Sequence, residues 1–369
     1  MDRTGSAEGQ VYLANALATG KEKRIAAAIA LVVLLLFAAA AFFVRIPLAQ
    51  MPAFIPSYEA ALFFIDLITA ALLYDQAVRQ RSVALVALAA GYLFDALIIV
   101  PHALTFPGAF APAGLLGAGP QTTAWLYVFW HGGFPLFVIA YAVLRKGEAR
   151  QPAPALARIW ISSVLSGAFA AALAAAFAVL ATRQHDLLPV VMQGGDYSLL
   201  VSKGISPAVW VLTGLAIVSL WERPQRAIDL WLILVMWIWL FDIALSAVIG
   251  SHRFDLGFYA GRVFGLAAAG FLLVTLILEL TRLHARSLVE AERARQRISE
   301  LSQVRRQPEP SLRKEETVSS YIHRENIARY RALLQDPHLD EARRALIKKL
   351  LAEEEAKQPS PVNSDRRPA

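Results

Sequence analysis

Residues 25–44 read IAAAIALVVLLLFAAAAFFV, twenty positions with neither a charge nor a proline. At 1.5 Å of rise per residue such a run covers the roughly 30 Å hydrocarbon layer of a bilayer. It follows 24 polar-leaning residues and no small-residue cleavage site comes after it, so it reads as a retained span and not a secretory signal. Working outward, seven further apolar stretches approach the same length: Ser57–Asp75, Val83–Thr105, Ala124–Leu144, Ile159–Thr182, Pro207–Trp221, Leu230–Gly250 and Tyr259–Leu280. The sixth of the eight, Pro207–Trp221, is the shortest. The pattern predicts an all-α integral membrane protein, an eight-transmembrane-helix bundle.

Composition supports this. Hydrophobic residues are 57% and charged residues 18% of the 369-residue chain, against about 45–50% and about 25% in soluble domains. Residues 282–369 hold 33 of the 65 charged side chains, leaving 32 for the first 281 residues, too few to clothe a soluble domain of that size. There is no cysteine, which excludes disulfides, thiolate metal sites and a catalytic thiol. The net charge of +7 comes with no nucleic-acid motif, so no nucleic-acid partner is expected.

The basic excess instead sets an orientation. One set of short loops carries Arg3, Lys21, Lys23, Arg24, Arg79, Arg81, Arg145, Lys146, Arg150, Arg158, Arg223 and Arg226, twelve in all; the opposite set has four, Arg45, Arg183, Lys203 and Arg253. Positive residues stay cytoplasmic. Both termini are therefore expected in the cytoplasm.

Beyond residue 281 the character changes. The expected organisation is a cytoplasmic N-terminal segment (1–24), the eight-span membrane domain (25–281), a helical stalk (282–304), a linker (305–322), a two-helix cytoplasmic tail (323–357) and a disordered end (358–369). The stalk fits a coiled coil only loosely, because its heptad breaks between Val289 and Ile298. In the tail, Ile327, Tyr330, Leu333 and Leu334 form one stripe, Leu346, Ile347, Leu350 and Leu351 another, with Asp340 as a cap. These stripes can close on each other, on a second copy or on a partner's groove.

An ionisable side chain within a span is expensive, so each one is a candidate functional group. Asp66, Asp95, His131 and Asp242 all fall about 10–15 Å below the outer surface at 1.5 Å per residue, and His102 lies seven residues, two turns, beyond Asp95. Together with Arg262 as a counter-charge they form the candidate ligand-binding set, expected to converge in one outer-half cavity. Hydrogen-bonded helix-to-helix glue is the competing reading. His102 and His131 alone lack the spacing of a metal site, and no metal, catalytic residue or named cofactor is assigned. The uncharged, Gly/Pro-rich loop Pro107–Pro120 is expected to fold back as a lid over this layer. Leu93-Phe94-Asp95-Ala96 recurs as Leu240-Phe241-Asp242-Ile243, as a four-plus-four repeat would leave it.

The run from Ala103 to Pro135, ALTFPGAFAPAGLLGAGPQTTAWLYVFWHGGFP, resembles the signature of membrane-associated sensor family 4, of the MASE type. Asp66–Gln76, Gly91–Asp95, Trp239–Asp242 and Gly257–Arg262 add to the resemblance, which covers roughly residues 20–285. It implies a bacterial inner-membrane, eight-helix input module, one that ordinarily precedes a diguanylate cyclase (GGDEF) or histidine-kinase output. The 88 residues after 281 are too few for either, and Gly194-Gly195-Asp196 continues as Tyr-Ser in an outward loop. The expectation is therefore a non-enzymatic sensor that reads a stimulus in its outer half. Its partners would be membrane lipid, a cytoplasmic signalling protein docked on residues 282–357, and a second copy of the chain. A small-molecule transporter or intramembrane enzyme using the Asp/His layer is the alternative, and the tail discriminates: a transporter needs none.

Overall fold

The computed structural model describes residues 16–51, 53–148, 150, 152–221, 226–250, 252–304, 318–337 and 339–357. The expected disordered end 358–369, most of the linker and the first 15 residues lie outside that set. The described residues form helices and connections without a strand. The chain divides into two units, residues 1–291 and 292–369.

The first unit is built from α1 (Gly20–Phe42), α2 (Phe54–Gln80), α3 (Val83–Thr105), α4 (Thr122–Glu148), α5 (Leu156–Arg183), α6 (Ser198–Ser202), α7 (Ile205–Leu220), α8 (Ala227–Ile243) and the start of α9 (Leu256–Val304). Among the described residues, seven helices are long and apolar enough to cross a membrane. The eighth apolar helix, α7, has 16 residues, about 24 Å, short of a full span. Gly204, at φ 73°, breaks it from α6 in the left-handed region that suits glycine. The expected sixth span is thus a short helix with a one-turn helix before it.

Helices α1 and α3 begin where a side chain satisfies orphan N–H groups. Thr19 and Glu22 form a reciprocal capping box on α1, and Ser82 caps α3 through Leu85 N. The α2–α3 connection is two residues, Arg81 at φ 52° and Ser82, so these helices run antiparallel side by side. α3 and α8 are the buried helices; α2, α4 and α5 surround α3. α1 and α5 turn Leu31, Val32, Leu35, Trp160, Val164 and Leu165 outward, as helices solvated by lipid do.

One end of the bundle, here the distal end, carries the connections 43–53, 106–121, 184–197 and 250–255. They are knitted together by backbone bonds: Leu256 N donates to Ile46 O (2.9 Å), Leu48 N to Phe254 O (2.8 Å) and Arg253 N to Gly195 O (2.9 Å). Backbone groups that no helix satisfies are paired between loops.

In the second unit, α10 (Val318–Leu334) packs on α11 (Glu341–Ala356). α10 begins five residues before the expected tail boundary. Asp340 caps α11 by accepting from Arg343 N at 2.8 Å. Ile327 is buried and Ile347, Leu350 and Leu351 are half-buried, whereas Leu346 points outward, 57% exposed. Glu354 closes the pair: Asn326 Nδ2 and Lys357 Nζ donate to it and His323 Nδ1 abuts it.

Candidate functional site

The helical period brings the ionisable residues of α2 and α3 face to face. Glu59 and Asp66 are seven apart on α2, as are Asp95 and His102 on α3. Two turns on each of two antiparallel helices give a two-rung ladder with rungs about 10 Å apart. The first rung is His102 Nδ1 against Glu59 Oε1 at 2.6 Å, both buried. The second sets Asp66 beside Asp95, near enough to interact electrostatically, with Tyr92 next to both.

A second polar group lies between α4 and α8. His131 Nδ1 is 3.0 Å from Tyr127 O and must donate to it, because a carbonyl only accepts. His131 Nε2 is 3.2 Å from Asp242 Oδ2. One proton then lies between Nε2 and the carboxyl, as imidazolium with carboxylate or as imidazole with acid. The pair is neutral in either form. Ser246 Oγ donates to Asp242 O at 2.7 Å, so the Tyr127 hydroxyl, 2.7 Å away, donates to Ser246. A π-helical turn, Ala244–Ile249, begins two residues after Asp242 and carries Ser246, a distortion that often marks functional sites.

Small residues on α9 make room for Asp242. A Cβ at Gly261 would lie 2.8 Å from Asp242 Oδ1, and one at Gly265 2.9 Å from Asp242 Oδ2. Gly257, one turn earlier, does the same for Val44 and Leu245 O. Glycines four apart let helix backbones approach closely. Here they seat a carboxylate as well.

Aromatic rings fill the space between the polar groups. Trp130 packs at 5.9 Å on His102 and lies beside Asp95; Trp239 packs at 5.0 Å on His131 and 5.2 Å on Phe134. Among the described residues, Glu59 Oε2, Tyr92 Oη and Trp239 Nε1 are buried without a protein hydrogen-bond partner, and the Trp130 indole stands against the Asp95 carboxyl.

The predicted residues are therefore adjacent, but they do not converge in one cavity. Asp66 with Asp95, Glu59 with His102, and His131 with Asp242 form three buried groups. A cavity of about 40 Å³ opens beside them near the distal end, and of the candidate set only His102 and Arg262 line it. Arg262 is not the counter-charge of Asp242: no carboxylate lies within 4 Å of it among the described residues. Instead Nη1 donates to Phe258 O at 3.0 Å and the guanidinium lies 3.7 Å over the Phe258 ring. The expected lid does not form either. Leu115 N donates to Leu104 O at 2.8 Å and Gly114 sits against Thr105 O, so loop 107–120 folds onto the end of α3, and no residue of it lines the cavity. The paired Leu-Phe-Asp segments differ in surroundings, since Asp95 faces Asp66 and Asp242 faces His131.

Sequence reasoning missed Glu59, because it is only the third residue of its expected span, which began at Ser57; its spacing from Asp66, equal to that of Asp95 and His102, was the available signal. It also missed Arg253. This loop arginine lines the cavity, donates to Thr123 Oγ1 and lies 4.8 Å over the Phe106 ring.

No curated protein and no solved structure matches the chain. Residues 49–284 match the family described as "membrane-associated sensor, integral membrane domain" (MASE4), a region that starts after α1 and contains every group described above. The chain belongs to this family of integral membrane sensor domains.

Proposed function

We propose that the protein is a non-enzymatic signal-input protein of a bacterial inner membrane, with both termini cytoplasmic and the distal end facing outward. The buried polar layer receives the stimulus. The His131–Asp242 pair, seated on Gly261 and Gly265 of α9, is the observation that carries this reading. A change in that pair bears directly on the helix that runs on to Val304 as the stalk. The tail hairpin then presents its exposed apolar residues, Leu333 and Leu346, to a cytoplasmic signalling protein, in a complex containing a second copy of the chain. The twelve-to-four distribution of basic loop residues supports the orientation.

A photo-crosslinking amino acid at Leu346 of the full chain, expressed in cells, tests this. One cytoplasmic protein should be captured, with a yield that changes at least twofold in Asp242→Asn. No capture would remove the tail partner. Capture indifferent to Asp242→Asn would remove the coupling.

A further inference from the structure

No carboxylate of the polar layer lines the cavity, and the polar side chains that do line it are basic or hydroxylic. Its wall carries Arg253, Arg262 and His102, with hydroxyls from Tyr127, Tyr197 and Ser246, and no Asp or Glu. Glu59 is matched to His102, and Asp242 to His131 in a pair neutral in either protonation form. The nearest helix cap, Asp255, accepts from Phe258 N at 2.7 Å and His252 N at 3.3 Å. Neither arginine meets a carboxylate within 4 Å among the described residues, although Arg262 is only 8% exposed. Each guanidinium has five N–H donors, and one from each reaches an acceptor, Thr123 Oγ1 for Arg253 and Phe258 O for Arg262. A buried cation without its opposite charge is costly. The two arginines also repel: burial, and then the charge of Arg262, push Arg253 down to about 10.

We propose that this cavity binds a small oxyanion, a carboxylate or phosphate group, gripped between the guanidinium forks of Arg253 and Arg262. Arginine forks match the two oxygens of such a group. The volume of about 40 Å³ accommodates about three waters, the bulk of a carboxylate. The hydroxyls of Tyr127 and Tyr197 stand at the same wall but already donate, to Ser246 Oγ and to His252 O, so either would have to turn from that partner to bond the anion. Tyr127 turning to the anion would break the chain that runs through Ser246 to Asp242 O. That the anion is the sensed species rests on the function proposed above; the binding itself does not.

The test uses the full chain in dodecyl maltoside, a detergent without phosphate or carboxylate. Acetate, succinate and phosphate are titrated at constant ionic strength against chloride, and phosphatidylglycerol in a separate arm, while the apparent unfolding midpoint is followed. At least one probe should raise the midpoint saturably. Arg253→Gln, Arg253→Lys and Arg262→Gln should each weaken the apparent affinity at least tenfold, the lysine variant because it keeps the charge and loses the fork. If Arg262→Gln does not fold, the two variants of Arg253, a loop residue, carry the test. A shift by phosphatidylglycerol alone, lost in Arg253→Gln, supports the site and identifies a lipid headgroup as the source. No shift above chloride, or a shift undiminished in all variants, overturns the proposal. Binding that leaves the Leu346 crosslink unchanged would defeat the sensing reading and leave the anion site standing.

Discussion

Glycine-to-alanine exchange along α9 measures whether Asp242 is seated on that helix. A Cβ at Gly261 would meet Asp242 Oδ1 and Ser246 Cβ at 2.8 Å and Asp242 O at 3.1 Å; at Gly265 it would meet Asp242 Oδ2 and Tyr58 Oη at 2.9 Å; at Gly270 it meets nothing within 4 Å. Overpacking a tight site costs about 1–3 kcal/mol, and alanine returns about 1 kcal/mol of helix propensity over glycine. Gly270→Ala should therefore be neutral to stabilising by up to about 1 kcal/mol. The difference between overpacking and propensity leaves Gly265→Ala losing up to about 2 kcal/mol, with Gly261→Ala at the upper end of that range because one of its close neighbours is backbone. Apparent midpoints in detergent, at one scan rate, should separate Gly261→Ala from Gly270→Ala by about 3–10 °C, at about 2–4 °C per kcal/mol for a unit of this size. In an Asp242→Ala background the penalty of Gly265→Ala should shrink, a coupling of about 1 kcal/mol. If all three alanine variants melt together, the close approach of α8 and α9 at Asp242 is wrong, and the route from the polar layer to the stalk goes with it.

Asp242→Ala alone should destabilise by about 3–5 kcal/mol by stranding His131, and Asp242→Leu with His131→Phe should recover most of it; equal losses in a chemical unfolding series would deny the pair. Hydrogen bonds from His323, Asn326 and Lys357 hold the Glu354 carboxyl down to about 2, below its ordinary 4.5. A carboxyl depressed in the folded state stabilises above its unfolded value and loses that contribution as pH falls through the folded one. The contribution to α10–α11 pairing should thus fade between about pH 4.5 and 2, and Glu354→Gln should remove the dependence. Carboxyl NMR of the labelled full chain checks it, and titration at the ordinary value would refute it.

The fold was legible because lipid solvation leaves a strong imprint. The runs 25–44 and 83–105 contain so few polar atoms that only a spanning helix fits them. The sixth stretch, Pro207–Trp221, reads as the shortest, and the structure gives it as the 16-residue α7, Ile205–Leu220; the left-handed Gly204 that sets it off from α6 was not foreseen. Hydropathy reports the environment of a segment and is blind to a single dihedral. The same limit applies to the Pro107–Pro120 loop. Its turns were legible in glycine and proline, while its docking on α3 depends on Leu115 finding Leu104, a tertiary contact with no local signal.

The site shows the complementary lesson. Depth along a helix follows from counting, which is why Asp66, Asp95, His131 and Asp242 were expected in one layer. Azimuth follows from counting only when two helices are known to be neighbours. For α2 and α3 the two-residue connection supplies that knowledge, and Glu59 with His102 and Asp66 with Asp95 share the same sum of positions, 161. That ladder could have been deduced. For His131 on α4 and Asp242 on α8, 111 residues apart, it could not. There the deciding features were the glycines of α9, which read as generic helix-packing residues until Asp242 is laid over them. Once His131 neutralises that aspartate, the cations at the distal end have no internal partner, so the chemistry expected of an acidic layer gives way to that of a basic cavity. The carboxylates organise the core and the arginines face the opening, and an oxyanion is the ligand class that such a division of charge would recognise.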